Sequence, residues 1–186
     1  MFRICRFTLF LIILVIAGNA KSSNLKNGYD ALREYDYFKA KKIFESNLEK
    51  QFVGAGYGLA IIFSSSNNPF YNLDSSHFLI KRVWLAFIFL PEKQQLKLVR
   101  YQIDSVAILN LSNRIDSISY SITTKDPSAE KLKKFIRDYQ GSKEIDEAIK
   151  IRNKLVYEIV YNENTIQAYS KFISKYPYAD EVSLAR

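Results

Sequence analysis

The amino-acid sequence predicts an all-α fold in which antiparallel helix pairs are stacked side by side. Its 186 residues include only six glycines and four prolines, and these fall between apolar-periodic segments rather than inside them, as is typical of helices. Alternation of period two, the mark of half-buried strands, is nowhere sustained. The third observation is an internal repeat near the C-terminus, in which Phe135 recurs 37 residues later as Phe172.

The first twenty residues have the order of a secretory signal peptide. Arg3 and Arg6 precede the apolar run Phe7–Ala17, and Gly18 and Ala20 are the small residues of a cleavage site. A helix of that run is about 16 Å long and cannot span a hydrocarbon core of about 30 Å. We therefore expect cleavage after Ala20 and no transmembrane span in the mature chain. The mature protein would be exported, either periplasmic or associated with the outer membrane.

Cysteine and charge restrict the possible chemistry further. The only cysteine, Cys5, lies inside the expected signal peptide, and Lys21 occupies the place of a lipid-anchor cysteine. The mature chain would then have no disulfide, thiolate metal site or cysteine nucleophile. The formal net charge of +8 would fit nucleic acid, but an exported protein rarely meets it, and we expect none. A mildly basic surface favours anionic envelope material or an acidic partner.

The apolar pattern places four helices in the first half of the chain. The first pair spans about 25–34 and 37–50, and the second member carries one apolar stripe. A third helix covers about 54–63 and opens on three closely spaced glycines. Asp74 is expected to cap a fourth helix, which ends before Pro91.

The segment 83–90 is apolar on every side. Eight residues between Lys81-Arg82 and Pro91 are too few for a membrane hairpin, so we expect a helix buried on all sides. Further on, apolar residues recur at spacings of mostly four and three, which predicts two amphipathic helices or one long bent helix. These residues are Leu96, Val99, Ile103, Val106, Leu109, Leu111, Ile115, Ile118 and Ile122. The stretch 123–127 is expected to be a turn, with Pro127 at a helix start.

The C-terminal repeat aligns Ser128–Tyr139 with Thr165–Tyr176. Both copies begin with a hydroxyl residue placed to cap a helix, and both contain Phe-Ile-x-x-Tyr at the same offset. The match continues from Ala148 to Ala185. A period in the thirties with two helices per unit is typical of an α-solenoid.

These residues resemble the tetratricopeptide (TPR) family. The family's repeat has a small and an aromatic residue four apart on its second helix and a proline that closes the unit. Ala40 and Phe44, and Ala168 and Phe172, match the pair, and Pro177 matches the proline. Gly28 stands at the small position of a first helix. The phrase 172–179 is similar to repeats of bacterial envelope TPR proteins of the outer-membrane assembly and Tol-Pal-associated types. The resemblance divides the chain into a signal peptide (1–20), TPR-like repeats that are degenerate in the middle (21–126) and C-terminal repeats with an incomplete last one (127–186).

The resemblance implies a scaffold for protein–protein interaction rather than an enzyme, with a peptide or envelope protein bound on the concave face. Threading the family's groove positions gives five partner-binding residues: Tyr29, Arg33, Lys150, Asn153 and Tyr157. The alternative is a non-binding structural or targeting domain of a longer envelope protein, for example one with a peptidoglycan-binding module. The helix that starts at 180 and stops at 186 favours this alternative.

No residue pattern predicts catalysis, a cofactor or a metal. The run Asp74–His77 contains the letters of a hydrolase triad, but such groups must converge from separate elements, and a helix start explains them better. His77 is the only histidine, which leaves no imidazole metal site. Gly54, Gly56 and Gly58 lack the context of a phosphate loop and indicate tight packing. The acids at 144–147 are expected to be surface charges in ion pairs.

Overall fold

The structure, a computed structural model, describes residues 25–186. The expected signal peptide with its cleavage site, together with Cys5 and Lys21, lies outside the described residues. Within 25–186 every regular element is a helix, which confirms the all-α class for this part of the chain. The α-helices are α1 (Leu25–Arg33), α2 (Tyr37–Asn47), α3 (Phe52–Ser64), α4 (Leu73–Ile88), α5 (Glu92–Leu98), α6 (Ser105–Lys125), α7 (Ala129–Asp138), α8 (Ile145–Glu163) and α9 (Ile166–Lys175), with 3-10 turns at Val99–Tyr101 and Asp180–Ser183.

Apart from the short α5, helices that follow one another in the chain pack on one another, and α4 packs on α6. In addition, α1 contacts α3 and α3 contacts α6, so these three helices form one layer. Stacked helix pairs are compatible with this order of neighbours. The finer assignment to a TPR-like solenoid stays a prediction.

The buried apolar side chains form three clusters along the chain. The largest lies among α1 to α6 and includes Phe44. A second surrounds Phe135 between α7 and α8, and a third surrounds Phe172 among α8, α9 and the last 3-10 turn. Between the first two clusters, the carboxylate of Asp74 on α4 accepts a hydrogen bond from the Tyr139 hydroxyl after α7.

Phe44 is the residue on which α1, α2 and α3 converge. Its ring is fully buried against Gly28 of α1 and Gly58 of α3, where a Cβ on either glycine would lie 2.7 Å from the ring's Cε1 atom. Glycine is needed here for close approach. Gly54 and Gly56 are likewise packed against neighbouring side chains, so the prediction of tight packing at this glycine-rich helix start is confirmed.

α7 and α9 are two copies of one helical unit. They run Ala129–Asp138 and Ile166–Lys175, so both ends are displaced by the same 37 residues as the sequence repeat. The hydroxyls of Ser128 and Thr165 each accept a hydrogen bond from the N–H three residues on, at 3.2 and 3.1 Å. The two predicted caps are therefore present.

The start of α4 differs from the prediction. The cap is Asn72, whose side-chain oxygen accepts from the Ser75 N–H at 2.9 Å. Asp74 instead lies in the first turn, where its carboxylate accepts from Lys134 and Tyr139. Asn and Asp cap helices about equally well, so the local signal cannot separate the two positions.

The expectation that 83–90 forms a helix buried on all sides is wrong. Leu85, Ile88 and Phe89 are 56%, 45% and 83% exposed. α4 packs on α3 and α6 through the face that carries Val83 and Phe87, and these two helices leave its other face uncovered. An apolar run shows that a helix is hydrophobic all round, but the number of neighbouring helices decides how much of it is covered.

The region 92–125 is two helices rather than one bent helix. Gln102 has φ 60°, a left-handed conformation that ends the 3-10 turn after α5. Because the break resets the helical phase, residues spaced by four and three across it do not share one buried face: Ile103 is buried, whereas Val99 and Val106 are exposed. The expected turn at 123–127 is also shorter, since α6 continues to Lys125 and Pro127 precedes the cap of α7.

Candidate functional site

Two adjoining cavities lie along the layer of α1, α3 and α6. One, of about 500 Å³, is lined by α1, α3 and the turn that follows α5. The other, of about 300 Å³, is lined by α3 and α6. Tyr57 and Ile61 of α3 belong to both. We call the combined depression the α1–α3–α6 groove.

Tyr29 is fixed in the wall of this groove. Its ring is 8% exposed, stacks on Tyr101 with centroids 5.2 Å apart, and meets the edge of Phe44 at 4.9 Å. Its hydroxyl donates to the carbonyl of Gly54. Burial, together with the neighbouring Tyr57 and Tyr101, raises the pKa of Tyr29 well above its ordinary value. The side chain is thus a neutral, immobile part of the wall.

Cationic side chains outnumber acids around the groove. Lys26, Arg33, Arg100 and Arg114 line it, against the single carboxylate of Asp30. Hydrogen bonding from Lys26, at 3.0 Å, and the nearby Arg33 guanidinium hold the pKa of Asp30 below its ordinary value. Asp30 therefore remains ionised and forms ion pairs with both cations of α1, Lys26 and Arg33.

Arg100 and Arg114 have no carboxylate partner among residues 25–186. The Arg100 Nε atom donates to the carbonyl of Lys97 at 2.8 Å, and its guanidinium lies 5.6 Å from the centroid of the Tyr101 ring. Both arginines are exposed. Arginine with its remaining donors open to solvent is well suited to bind carboxylates.

The five residues predicted to bind a partner fall in separate places. Tyr29 and Arg33 line the α1–α3–α6 groove. Lys150 and Asn153 of α8 line a smaller cavity together with Asp146, Asp180 and Glu181. Tyr157 lines another cavity, together with Leu184. The α8 residues thus do not contribute to the groove, and Asn153 is buried, with its side-chain oxygen accepting from Arg152.

Sequence reasoning named only Tyr29 and Arg33 of the groove, and the residues that it missed include Tyr57, Arg100 and Arg114. Tyr57 stands among the glycines of α3, which indicate tight packing, and local sequence does not show that its ring is partly exposed. Arg100 lies in the 3-10 turn that the left-handed Gln102 ends, and apolar spacing does not show that this turn borders the groove. Arg114 lies on α6, in the part of the sequence that matches the repeat poorly. Charge combined with aromatic neighbours would have been the available signal.

The run Asp74–His77 is divided among separate contacts. The Ser76 hydroxyl is buried and donates to the carbonyl of Ala60 at 2.7 Å. The His77 Nδ1 atom lies 2.8 Å from the Asp116 carboxylate of α6. Serine and histidine therefore have different partners and do not form the nucleophile–base pair that a triad requires.

One expected surface charge is instead part of the packing. Glu144, just before α8, accepts hydrogen bonds from Ser117 of α6 and Ser142. Burial opposes ionisation, but these two hydrogen bonds hold the pKa of Glu144 below its ordinary value. Glu144 is paired with Lys143 at 3.8 Å, but its side chain is only 13% exposed, so the prediction of a surface charge is wrong for Glu144, while Asp146 and Glu147 are exposed.

We expect the contact between Tyr139 and Asp74 to make stability depend on alkaline pH. Burial, reinforced by the Asp74 carboxylate, raises the pKa of Tyr139 to about 12. A raised pKa stabilises the fold fully below the ordinary tyrosine value of about 10, and this contribution is lost as pH rises through the folded value. Between pH 9 and pH 11.5 the free energy of unfolding, measured in urea, should fall in both proteins. The fall should be smaller in Tyr139→Phe than in wild type, by up to about 2 kcal/mol. An equal loss in both proteins would contradict the assignment.

Comparisons with protein-family models, with curated proteins and with solved structures find no match to this chain. Residues 25–186 contain no helix long and apolar enough to cross a membrane. In the same range no three histidine, cysteine or acidic side chains converge as a metal site would require.

Proposed function

We propose that this chain is an exported TPR-type scaffold of the cell envelope, which binds a protein partner in the α1–α3–α6 groove. The observation that carries the proposal is the groove itself, where exposed arginines surround partly exposed tyrosines on packed helices and on the 3-10 turn after α5. Tyrosine and arginine are among the residues most enriched at binding hot spots. No chemistry is assigned to the groove, and its role is recognition.

The rigidity of the groove wall supports this proposal. Tyr29 is hydrogen-bonded and stacked, and Phe44 locks α1 against α3. A wall that does not reorder on binding loses little conformational entropy when a partner docks. Sites on packed helices hold their geometry better than sites on loops.

A photo-crosslinker placed at Asn110, an exposed residue in the groove, tests the proposal. The matched control places the same group at Lys42, which is exposed on α2 and outside the described cavities. In envelope fractions we expect a discrete adduct from position 110 only, weakened at least about 5-fold by Arg100→Glu, because rim charges guide docking. Identical adducts from both positions would refute binding in the groove.

A further inference from the structure

We propose that the exposed side of α4 docks on the surface of an anionic lipid membrane. This side carries Phe78, Arg82 and Leu85, and Phe89 directly follows the helix; we call these four exposed residues the α4 stripe. Their spacing of four, three and four places them opposite the buried residues through which α4 packs on α3 and α6. None of the four lines the α1–α3–α6 groove, so the membrane contact is independent of the function proposed for that groove.

The apolar part of the α4 stripe is one continuous patch. Phe78, Leu85 and Phe89 are each more than half exposed. Leu85 and Phe89 are neighbours at a spacing of four, and the aliphatic stem of Arg82 links them to Phe78. Because a phenylalanine side chain buries about 150–250 Å², the patch offers roughly 300–400 Å² of apolar surface. Contiguous exposed apolar surface of this size marks a site of membrane or protein interaction.

Arg82 supplies a positive charge in the middle of the patch. Its guanidinium lies over the rings of Phe52 and Phe78, 5.1 and 5.5 Å from their centroids. Within 25–186 it forms no ion pair with a carboxylate. An arginine in such a place can keep its stem among acyl chains and its charge at the level of the headgroups. Its planar set of donors fits the phosphate oxygens of lipids.

A cavity beside the α4 stripe adds further positive charge. Its lining includes Phe52, whose ring contacts Arg82, and two exposed lysines, Lys50 and Lys97, against the single acid Glu49. Neither lysine is ion-paired in the described part of the chain. Cations next to an apolar patch are attracted by the negative potential of an anionic membrane and gain little from a neutral one. The charges around the α4 stripe therefore select anionic lipid.

A second copy of the chain fits the α4 stripe less well than a membrane does. In a two-fold contact the same patch faces itself, so the unpaired Arg82 guanidinium would be buried next to that of the other copy. The patch is also about half, or less, of the roughly 800 Å² that each partner of a stable interface buries. Membrane binding needs no such area, because its strength is the sum of apolar burial and attraction to anionic lipids.

Flotation of the mature chain with vesicles made of equal parts phosphatidylglycerol and phosphatidylcholine tests the inference. The mature chain is used because the apolar run 7–17 would bind vesicles by itself. We expect binding at least about 10-fold tighter than to vesicles of phosphatidylcholine alone, with the difference reduced at high salt. Arg82→Gln should weaken binding about 5-fold, and Leu85→Ser/Phe89→Ser about 10-fold or more.

Two control variants make matched changes at exposed positions on other helices. Ile122→Ser/Ile166→Ser also removes two exposed apolar side chains, and Lys171→Gln also removes one positive charge. Both should bind anionic vesicles within about 2-fold of wild type, since distant exposed charges are screened by salt. The inference fails if a control weakens binding as much as the variant it matches. It also fails if wild type does not bind the anionic vesicles, or binds phosphatidylcholine vesicles equally well.

A fluorophore that brightens in apolar surroundings shows which side of the molecule meets the lipid. Cys5 is the only cysteine, so the mature chain has no thiol, and Leu85→Cys and Ile122→Cys each create a single labelling site. On addition of anionic vesicles, the emission should rise for the label at position 85 and stay unchanged for the label at 122. An unfolded chain would expose both positions to lipid, so equal rises would contradict docking through α4.

Analytical ultracentrifugation in the absence of lipid tests for a second copy as the occupant. We expect wild type to be no more associated than Leu85→Ser/Phe89→Ser. A wild-type dimer that this double change converts to a monomer would show that another copy covers the α4 stripe, and would overturn the inference. The crosslink at Asn110 tests a different surface, so the function proposed for the groove can stand when the membrane contact fails.

Discussion

Replacing Phe44 with alanine is expected to lower the free energy of unfolding by about 3–5 kcal/mol, the range for a large aromatic side chain removed from a core. The ring fills the space that the absent Cβ atoms of Gly28 and Gly58 leave between α1 and α3. Backbone lines that space on two sides, so the helices cannot close over the cavity without losing their other contacts. Urea denaturation followed by circular dichroism measures the change.

Phe38→Ala is the matched control. It removes the same side chain from the same helix, but Phe38 is 68% exposed and has one edge contact, with Phe70 at 4.8 Å between centroids. We expect a loss of about 1 kcal/mol or less for this variant. Equal losses for the two variants would show that Phe44 does not hold the three helices together.

Replacing Asp116 with alanine is expected to cost about 3 kcal/mol. Its carboxylate is 2% exposed, lies 2.8 Å from the His77 Nδ1 atom and is 3.5 Å from the Lys81 Nζ atom. Removing one member of a buried polar pair leaves the other without its partner, which typically costs about 3–5 kcal/mol. Because the Lys81 side chain is partly exposed and can be solvated, the expected loss of stability lies at the low end of this range. The same denaturation experiment measures it.

The double variant Asp116→Leu/His77→Phe distinguishes a pairing effect from simple loss of volume. Apolar replacement of both partners leaves no unsatisfied polar group, so the double change should destabilise less than Asp116→Ala alone. The phenylalanine can keep the ring contact that His77 makes with Tyr139, at 4.2 Å between centroids. A double variant less stable than the single one would contradict the account.

Local signals predicted the parts of the fold that depend on a few neighbouring residues. The caps Ser128 and Thr165, the 37-residue displacement between α7 and α9, and the burial of Phe44 follow from hydroxyl placement and from three- and four-residue spacing. The exposed face of α4 did not follow, because spacing reports which residues share a face and not how many helices cover it.

The groove could be predicted only in part. Tyr29 and Arg33 lie on one helix of one repeat unit, so the groove positions of the family that the sequence resembles were enough to predict them. Arg100 and Arg114 come from segments on either side of the left-handed Gln102, and local spacing does not encode how two segments separated by such a break are placed in space. Tyr29 also shows that a groove position can belong to the core, since its hydroxyl is already bound to a backbone carbonyl.

The division of the core into three clusters has a consequence for how the molecule comes apart. Few apolar side chains hold α9 and the last 3-10 turn, whereas the cluster around α1 to α6 is much larger. Opening free energies are therefore expected to differ along the chain, with the amides of α9 exchanging with solvent faster than those of α2 and α3. Local opening around α9 is thus expected to leave the α1–α3–α6 groove intact.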